Sequence, residues 1–189
     1  MQLANFFTAS RIFLAPIFFI IYFLPSYVNV SEKITLLILI PLFSYMQFTD
    51  FLDGYVARKR HIVSDFGKLF DPFADVLANV IVLFCFTLEG YVPSLFFLII
   101  ICREFSILFV RMLAIKKGVV IGAKMLGKIK TVLYISLGAS SLALKLCSAY
   151  SFNMGALYYV SAFYLTISIL AVFFSVLSFL FYVRDYKRA

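Results

Sequence analysis

An all-α, polytopic membrane protein of about six transmembrane helices is the architecture this sequence predicts. Three observations predict it. Of 189 residues, 64% are hydrophobic and 14% are charged, where soluble domains carry about 25% charged residues. The mean hydropathy is +1.04, more apolar material than one water-soluble core can bury. The apolar residues also fall into runs long enough for roughly 30 Å of hydrocarbon, divided by short charged or turn-forming stretches.

Each run is justified in turn. The first, near 7–28, carries Arg11 and superficially resembles a secretory leader. It ends in Pro25-Ser26-Tyr27 without a small-residue cleavage pattern, so it reads as a retained span. The second, near 34–59, contains Pro41, as the first contains Pro16, and membrane helices tolerate both. The third, near 66–88, follows Ser64 and Asp65, and Asp65 reads as its cap. The fourth, near 93–115, holds Arg103 and Arg111, and the fifth lies near 125–147. The sixth, near 157–183, has Tyr158, Tyr159 and Tyr164 as belt or packing residues. No internal repeat or low-complexity tract interrupts this order, so residues 1–189 read as a single integral membrane domain.

The formal net charge is +8. In a soluble protein that balance would favour nucleic acid. Here the basic residues lie between apolar runs, so topology explains them and no nucleic-acid partner is expected. One side collects Arg58, Lys59, Arg60 and Lys68, then Lys116, Lys117 and Lys124, then Arg184, Lys187 and Arg188. The other side has Glu32 with Lys33, Glu89, and the uncharged run 151–155. The positive-inside rule therefore places both termini in the cytoplasm. His61 reads as a solvent-facing loop residue. Cys85, Cys102 and Cys147 show no CxxC spacing and read as small packing residues, with no disulfide or zinc site.

Four aspartates stand out against this apolar background. Asp50 and Asp53 are three apart, and Asp71 and Asp75 are four apart. Either spacing puts a pair on one helix face. Carboxylates within a bilayer are costly and usually functional. Four of them call for compensating charge, and their hard oxygens suit magnesium or manganese. If the second and third helices form an antiparallel hairpin, the two stripes can face each other. Gly54 and Gly67 remove side chains where a ligand must come close, and Arg58 can contact a diphosphate. Two ions in such a site would clamp the attacking and leaving oxygens of a phosphoryl displacement. A cation or proton transporter is the rival from another class. It gives no reason for Gly54, Ala57, Arg58 and Gly67 at fixed spacing, and inverted repeats are not evident.

The pattern Asp-x-x-Asp-Gly-x-x-Ala-Arg, eight residues, then Gly-x-x-x-Asp-x-x-x-Asp resembles the CDP-alcohol phosphotransferase signature. All eight defining residues are present: Asp50, Asp53, Gly54, Ala57, Arg58, Gly67, Asp71 and Asp75. The stretch from Asn5 through Thr8 to Arg11 looks like the N-L-L-T-x-x-R start of the bacterial phosphatidylglycerophosphate synthase branch. Arg103-Glu104, Arg111 and the segment from Lys117 to Thr131 resemble its later region. Lys124 and Val76 depart from it, standing where a small polar residue and Lys are common.

The resemblance implies a six-span, commonly dimeric enzyme of the cytoplasmic membrane, with its active site on the cytoplasmic side. It implies two divalent ions, Mg2+ or Mn2+, on Asp50, Asp53, Asp71 and Asp75. Asp71 and Asp75 would be catalytic, Asp75 as the general base. Gly54, Ala57, Arg58 and Gly67 would bind the CDP donor. The donor would be CDP-diacylglycerol and the acceptor sn-glycerol 3-phosphate, giving phosphatidylglycerophosphate and CMP. Inositol phosphate, serine, choline, or CDP-choline with diacylglycerol are alternative substrates within the same chemistry. Arg103 and Arg111 lie within the fourth run, and Lys124, Lys128 and Lys130 add charge at the start of the next helix; a helix start with nearby cations suits a phosphorylated acceptor over a neutral one.

Overall fold

The structure, a computed structural model, describes residues 2–60, 65–117, 125–151 and 154–188; the side chains of 2–7, 50–60, 65–69, 126, 154–160 and 187–188 are outside the description. Its elements are α1 (Gln2–Tyr27), α2 (Glu32–Arg60), α3 (Asp65–Leu88), α4 (Ser94–Lys116), α5 (Met125–Ala149) and α6 (Met154–Arg188). Each matches one apolar run of the sequence. The largest differences lie at the two ends of the chain, where α1 starts at Gln2 and α6 reaches Arg188.

Among the described residues, stretches of four helices are long and apolar enough to cross a membrane: Thr8–Tyr27, Phe70–Leu88, Gly127–Ala149 and Ser161–Tyr186. This is a membrane protein. The charged residues of the other two helices sit in different places. Every 18-residue stretch of α4 contains Arg103, Glu104 and Arg111, and α2 ends in the aspartate motif and Arg58-Lys59-Arg60.

Proline does not end these helices. Pro16 and Pro25 lie inside α1, Pro41 inside α2 and Pro72 inside α3. The Pro25-Ser26-Tyr27 stop therefore falls on the last helical turn, not before it. A proline interrupts one backbone bond but does not prevent a helix from continuing in an apolar medium. Asp65 is the first residue of α3, and its capping side chain is outside the described residues, as are His61, Tyr158 and Tyr159.

The chain groups into two compact units. The first comprises Met1–Cys85 with Lys145–Ser151, and the second Phe86–Leu144 with Phe152–Ala189. In the first unit α1 packs along α2. The buried stripe of α1 runs Thr8, Arg11, Ala15, Phe18 and Tyr22, and that of α2 runs Leu36, Leu39, Phe43 and Met46. Both follow alternating three- and four-residue steps, the period of a helix face. Ala74, Ala78 and Val82 form the buried stripe of α3, and the Phe19 ring stacks on Phe84 at 6.3 Å. The Lys145 ammonium, from the end of α5, sits 4.4 Å from the centre of the Tyr22 ring. Cation–π attraction of this kind suits a cation that has left water.

In the second unit α4 packs along α6. Buried Tyr164, Ser168, Ala171, Ser175, Ser178 and Tyr182 make the inner face of α6. Its small central residues allow close approach of a neighbouring helix, as membrane packing prefers. Tyr164 is a packing residue, and its hydroxyl donates to the Tyr91 carbonyl at 2.7 Å. The turn from α3 to α4 needs Gly90, whose φ is +80°, a region open to glycine at little cost.

The outer faces are apolar, as a lipid-facing surface requires. Phe13, Leu37, Leu98, Phe105, Phe163 and Phe173 are all exposed, in positions that would be aggregation-prone in water. The three cysteines divide. Cys85 is buried packing, Cys147 is half-buried, and Cys102 is exposed, so the packing role expected for it does not hold. Cys102 precedes the inward-facing Arg103, and one residue's rotation of about 100° turns it outward.

Candidate functional site

The aspartate motif begins on the last turns of α2, where Asp50, Asp53, Gly54, Ala57 and Arg58 are all helical, and Gly67 lies in the first turn of α3. Their side-chain geometry, the connecting residues 61–64, and the expected facing of the two stripes are outside the described residues.

Asp71 and Asp75 are described in full. They lie one turn apart on α3, each half-buried, and α1 supplies a donor to each. The Thr8 hydroxyl donates to Asp71 Oδ1 at 2.9 Å. The Arg11 guanidinium donates through Nη1 to Asp75 Oδ1, forming an ion pair in which the Arg11 side chain is almost wholly buried. Asn79 donates to the Asp75 carbonyl at 2.9 Å, one turn further along α3. Donors three apart on one helix thus meet acceptors four apart on another, a match of two neighbouring helix faces. Thr8 and Arg11 continue the stripe that buries Ala15, Phe18 and Tyr22, so the packing that holds α1 also aims these two donors.

Sequence reasoning did not assign Thr8 and Arg11 to the site. The signal was present: Arg11 is a cation at the start of an apolar run, and such a residue generally faces a carboxylate or a polar cavity.

A second cluster lies in the second unit. Glu104 Oε1 accepts from Arg103 Nη1 and from Lys130 Nζ, both at 2.7 Å. The remaining Arg103 donors reach α6, with Nε on the Ser175 carbonyl at 3.2 Å and Nη2 on the Ser178 hydroxyl at 2.8 Å. The Tyr134 and Ser175 hydroxyls share a bond of 2.7 Å, and Lys130 Nζ lies 4.9 Å from the centre of the Tyr134 ring. Arg103, Glu104, Tyr134, Ser175 and Ser178 are all buried.

The pairing of Arg103 with Glu104 departs from what an ideal helix suggests, since neighbours point about 100° apart. Arg and Glu are long enough to sweep back across that angle, and burial favours any arrangement that pairs charge. Of the five expected acceptor residues, the structure brings Arg103 and Lys130 together. Arg111 is half-buried with its guanidinium 5.9 Å from the centre of the Tyr182 ring. Lys128 is exposed, and Lys124 is outside the described residues. Glu104, which joins two of the cations, was not among the expected site residues.

A family model described as CDP-alcohol phosphatidyltransferase matches residues 1–177. The chain belongs to this family. Members of the family generally use divalent metal ions. Among similar proteins is one from Treponema pallidum (strain Nichols), 42% identical over 161 residues, covering 82% of this chain and 73% of the relative. Another, from Bacillus subtilis (strain 168), is 40% identical over 139 residues, 69% of this chain and 70% of the relative. A third, from Mycoplasma genitalium (strain ATCC 33530 / DSM 19775 / NCTC 10195 / G37), is 38% identical over 143 residues, 70% of this chain and 61% of the relative. All three bear the name CDP-diacylglycerol–glycerol-3-phosphate 3-phosphatidyltransferase. The chain is accordingly an enzyme of this phosphotransferase family.

Proposed function

We propose that this protein transfers the phosphatidyl group of CDP-diacylglycerol to sn-glycerol 3-phosphate, releasing CMP and phosphatidylglycerophosphate. The observation that carries the reading is agreement along the chain with relatives of that name, at 42% identity over 161 residues for the one from Treponema pallidum. The acceptor's charge has independent support. Arg103 and Lys130 share the Glu104 carboxylate, and Arg111 lies two turns beyond Arg103 on α4. Cations gathered in apolar surroundings suit an anionic ligand, and a phosphate monoester supplies one.

Asp50, Asp53, Asp71 and Asp75 would hold the divalent metal. The donor set fits: carboxylate oxygens are the hard ligands that magnesium and manganese take. Asp71 and Asp75 stand one turn apart, each oriented by a donor from α1. Among the described residues no three possible ligands gather; the other two aspartates of the motif have their side chains outside that set. When bound, the metal supplies positive charge to phosphate oxygens.

The remaining roles fall to the chain's own groups. Gly54, Ala57 and Gly67 leave room for the cytidine moiety, and Arg58 pairs with the donor phosphates. Lys130 and Arg111 hold the acceptor phosphate, with Lys124 and Lys128 as outer cations. Asp75 receives the proton of the attacking C1 hydroxyl, and the oxygen displaces CMP directly. The protein acts as one catalytic domain, a homodimer in the cytoplasmic membrane. Both termini and the active site face the cytoplasm, in keeping with the basic residues at the C-terminal ends of α2, α4 and α6.

The test is CMP release by the purified protein with CDP-diacylglycerol and magnesium, comparing glycerol 3-phosphate, inositol phosphate, serine and choline. Release with glycerol 3-phosphate alone, with phosphatidylglycerophosphate as product, supports the reading. Release with a different acceptor overturns the acceptor assignment and leaves the family chemistry in place.

A further inference from the structure

We propose that Glu104 is a positioning residue for the acceptor phosphate: it fixes Lys130 in place and is itself fixed by Arg103, which is anchored on α6. The inference rests on the acceptor reading above and deepens it by separating cations that bind phosphate from one that supports them.

The argument begins with how the donors are used. Each of the three nitrogens of Arg103 has a partner. Its Nε, Nη1 and Nη2 reach the Ser175 carbonyl, Glu104 and the Ser178 hydroxyl, at 3.2, 2.7 and 2.8 Å. A guanidinium with its planar fork committed on three sides is poorly suited to take a substrate as well. Arg103 is thus a support, not a substrate ligand. Lys130 differs. Its ammonium carries three donors, and one is committed to Glu104 at 2.7 Å. The Tyr134 ring, 4.9 Å away, offers a face and not an acceptor. Lys130 retains donor capacity that a phosphate oxygen can use.

Glu104 solves the problem this creates. Lys130 and Arg103 repel each other, and in apolar surroundings repulsion between like charges is large. One carboxylate oxygen bonded to both holds them within two hydrogen-bond lengths of each other. The carboxylate is buried beside its partners, so the flexible Lys130 stem is held before any ligand arrives. Preorganisation of this kind lowers the ordering cost on binding. The chain of contacts runs from Ser178 and Ser175 on α6, through Arg103 and Glu104 on α4, to Lys130 on α5.

The test uses full-length protein with CDP-diacylglycerol, glycerol 3-phosphate and magnesium. Glu104→Gln preserves shape and removes the charge. It is expected to raise the glycerol 3-phosphate KM about tenfold while the CDP-diacylglycerol KM stays within twofold. In a Lys130→Met background the same change is expected to add less than twofold, because the residue it positions is gone. Ser178→Ala keeps every charge and loosens only the far anchor; a rise of about threefold in the same KM is expected, and this variant carries the test if Glu104→Gln does not fold. An unchanged acceptor KM in folded Glu104→Gln and Ser178→Ala, with only thermal stability lowered, overturns the proposal and leaves a structural clamp. An undiminished effect in the Lys130→Met background overturns it as well. Absence of turnover by the wild-type protein with glycerol 3-phosphate overturns the parent reading, and the inference falls with it.

Discussion

Asp71 accepts from a hydroxyl and Asp75 from a guanidinium, and both donors come from one face of α1. The two carboxylates therefore have fixed orientation before any ligand arrives. Asp71→Asn keeps the size and an oxygen able to accept from Thr8, but it removes the negative charge. Turnover is expected to fall more than about 100-fold, beyond the range typical of groups that only support a metal ligand. Circular dichroism and gel filtration would show the fold intact, and near-normal turnover in such a variant would remove Asp71 from the metal site. Arg111→Ala is expected to raise the acceptor KM about 10- to 100-fold, the scale of one charged hydrogen bond. The donor KM should stay put, and steady-state titration of each substrate separates the two. The sequence pattern was enough to single out Asp71 and Asp75, because an acid in an apolar run is conspicuous. It was not enough to find their partners. Thr8 and Arg11 lie some sixty positions away, and only packing of α1 against α3 brings them within reach. Glu104 is hard to read from sequence for a different reason: neighbours on an ideal helix point about 100° apart, and only the length of the two side chains lets Glu104 meet Arg103.

At the scale of the helix, apolar runs made the elements legible. The bilayer fixes the length a span must have, so composition alone limits each boundary. The ends were less legible. α1 continues through Pro25, and α6 continues into the basic tail. Neither proline nor charge forbids helix; they only make it less favourable. The inner face of α6 is a sharper case. Ala171 is fully buried on the helix that packs along α4, between serines whose small size permits that approach. Ala171→Leu would force extra volume into this contact. A loss of about 1–3 kcal/mol is expected from overpacking, seen as a lower melting temperature in detergent. A folded variant of unchanged stability would mean that α6 can shift to make room.

For the molecule as a whole, the balance of charge reads as a division of labour. The acidic pairs belong to the first unit and the buried cationic cluster to the second. Clustered acid suits metal, and clustered base suits phosphate. Removal of divalent ions by chelator is expected to abolish CMP release, and adding back Mg2+ or Mn2+ should restore it. Ca2+ should restore it poorly, since it accepts looser and larger coordination. Full activity in chelator would reject the metal role of all four aspartates together.

Pro72 stands between Asp71 and Asp75, well inside α3. Its ring nitrogen has no hydrogen, so the carbonyl four residues earlier lacks the usual intrahelical donor. One rung of the helical ladder is missing in the turn that leads into the two carboxylates. A helix bends most cheaply where a rung is absent. The turn before Asp71 is thus the place where α3 yields most easily. Small bends there need break no backbone bond, and they leave intact both the turn from Asp71 to Asp75 and the Ala74, Ala78 and Val82 stripe that seats the rest of α3.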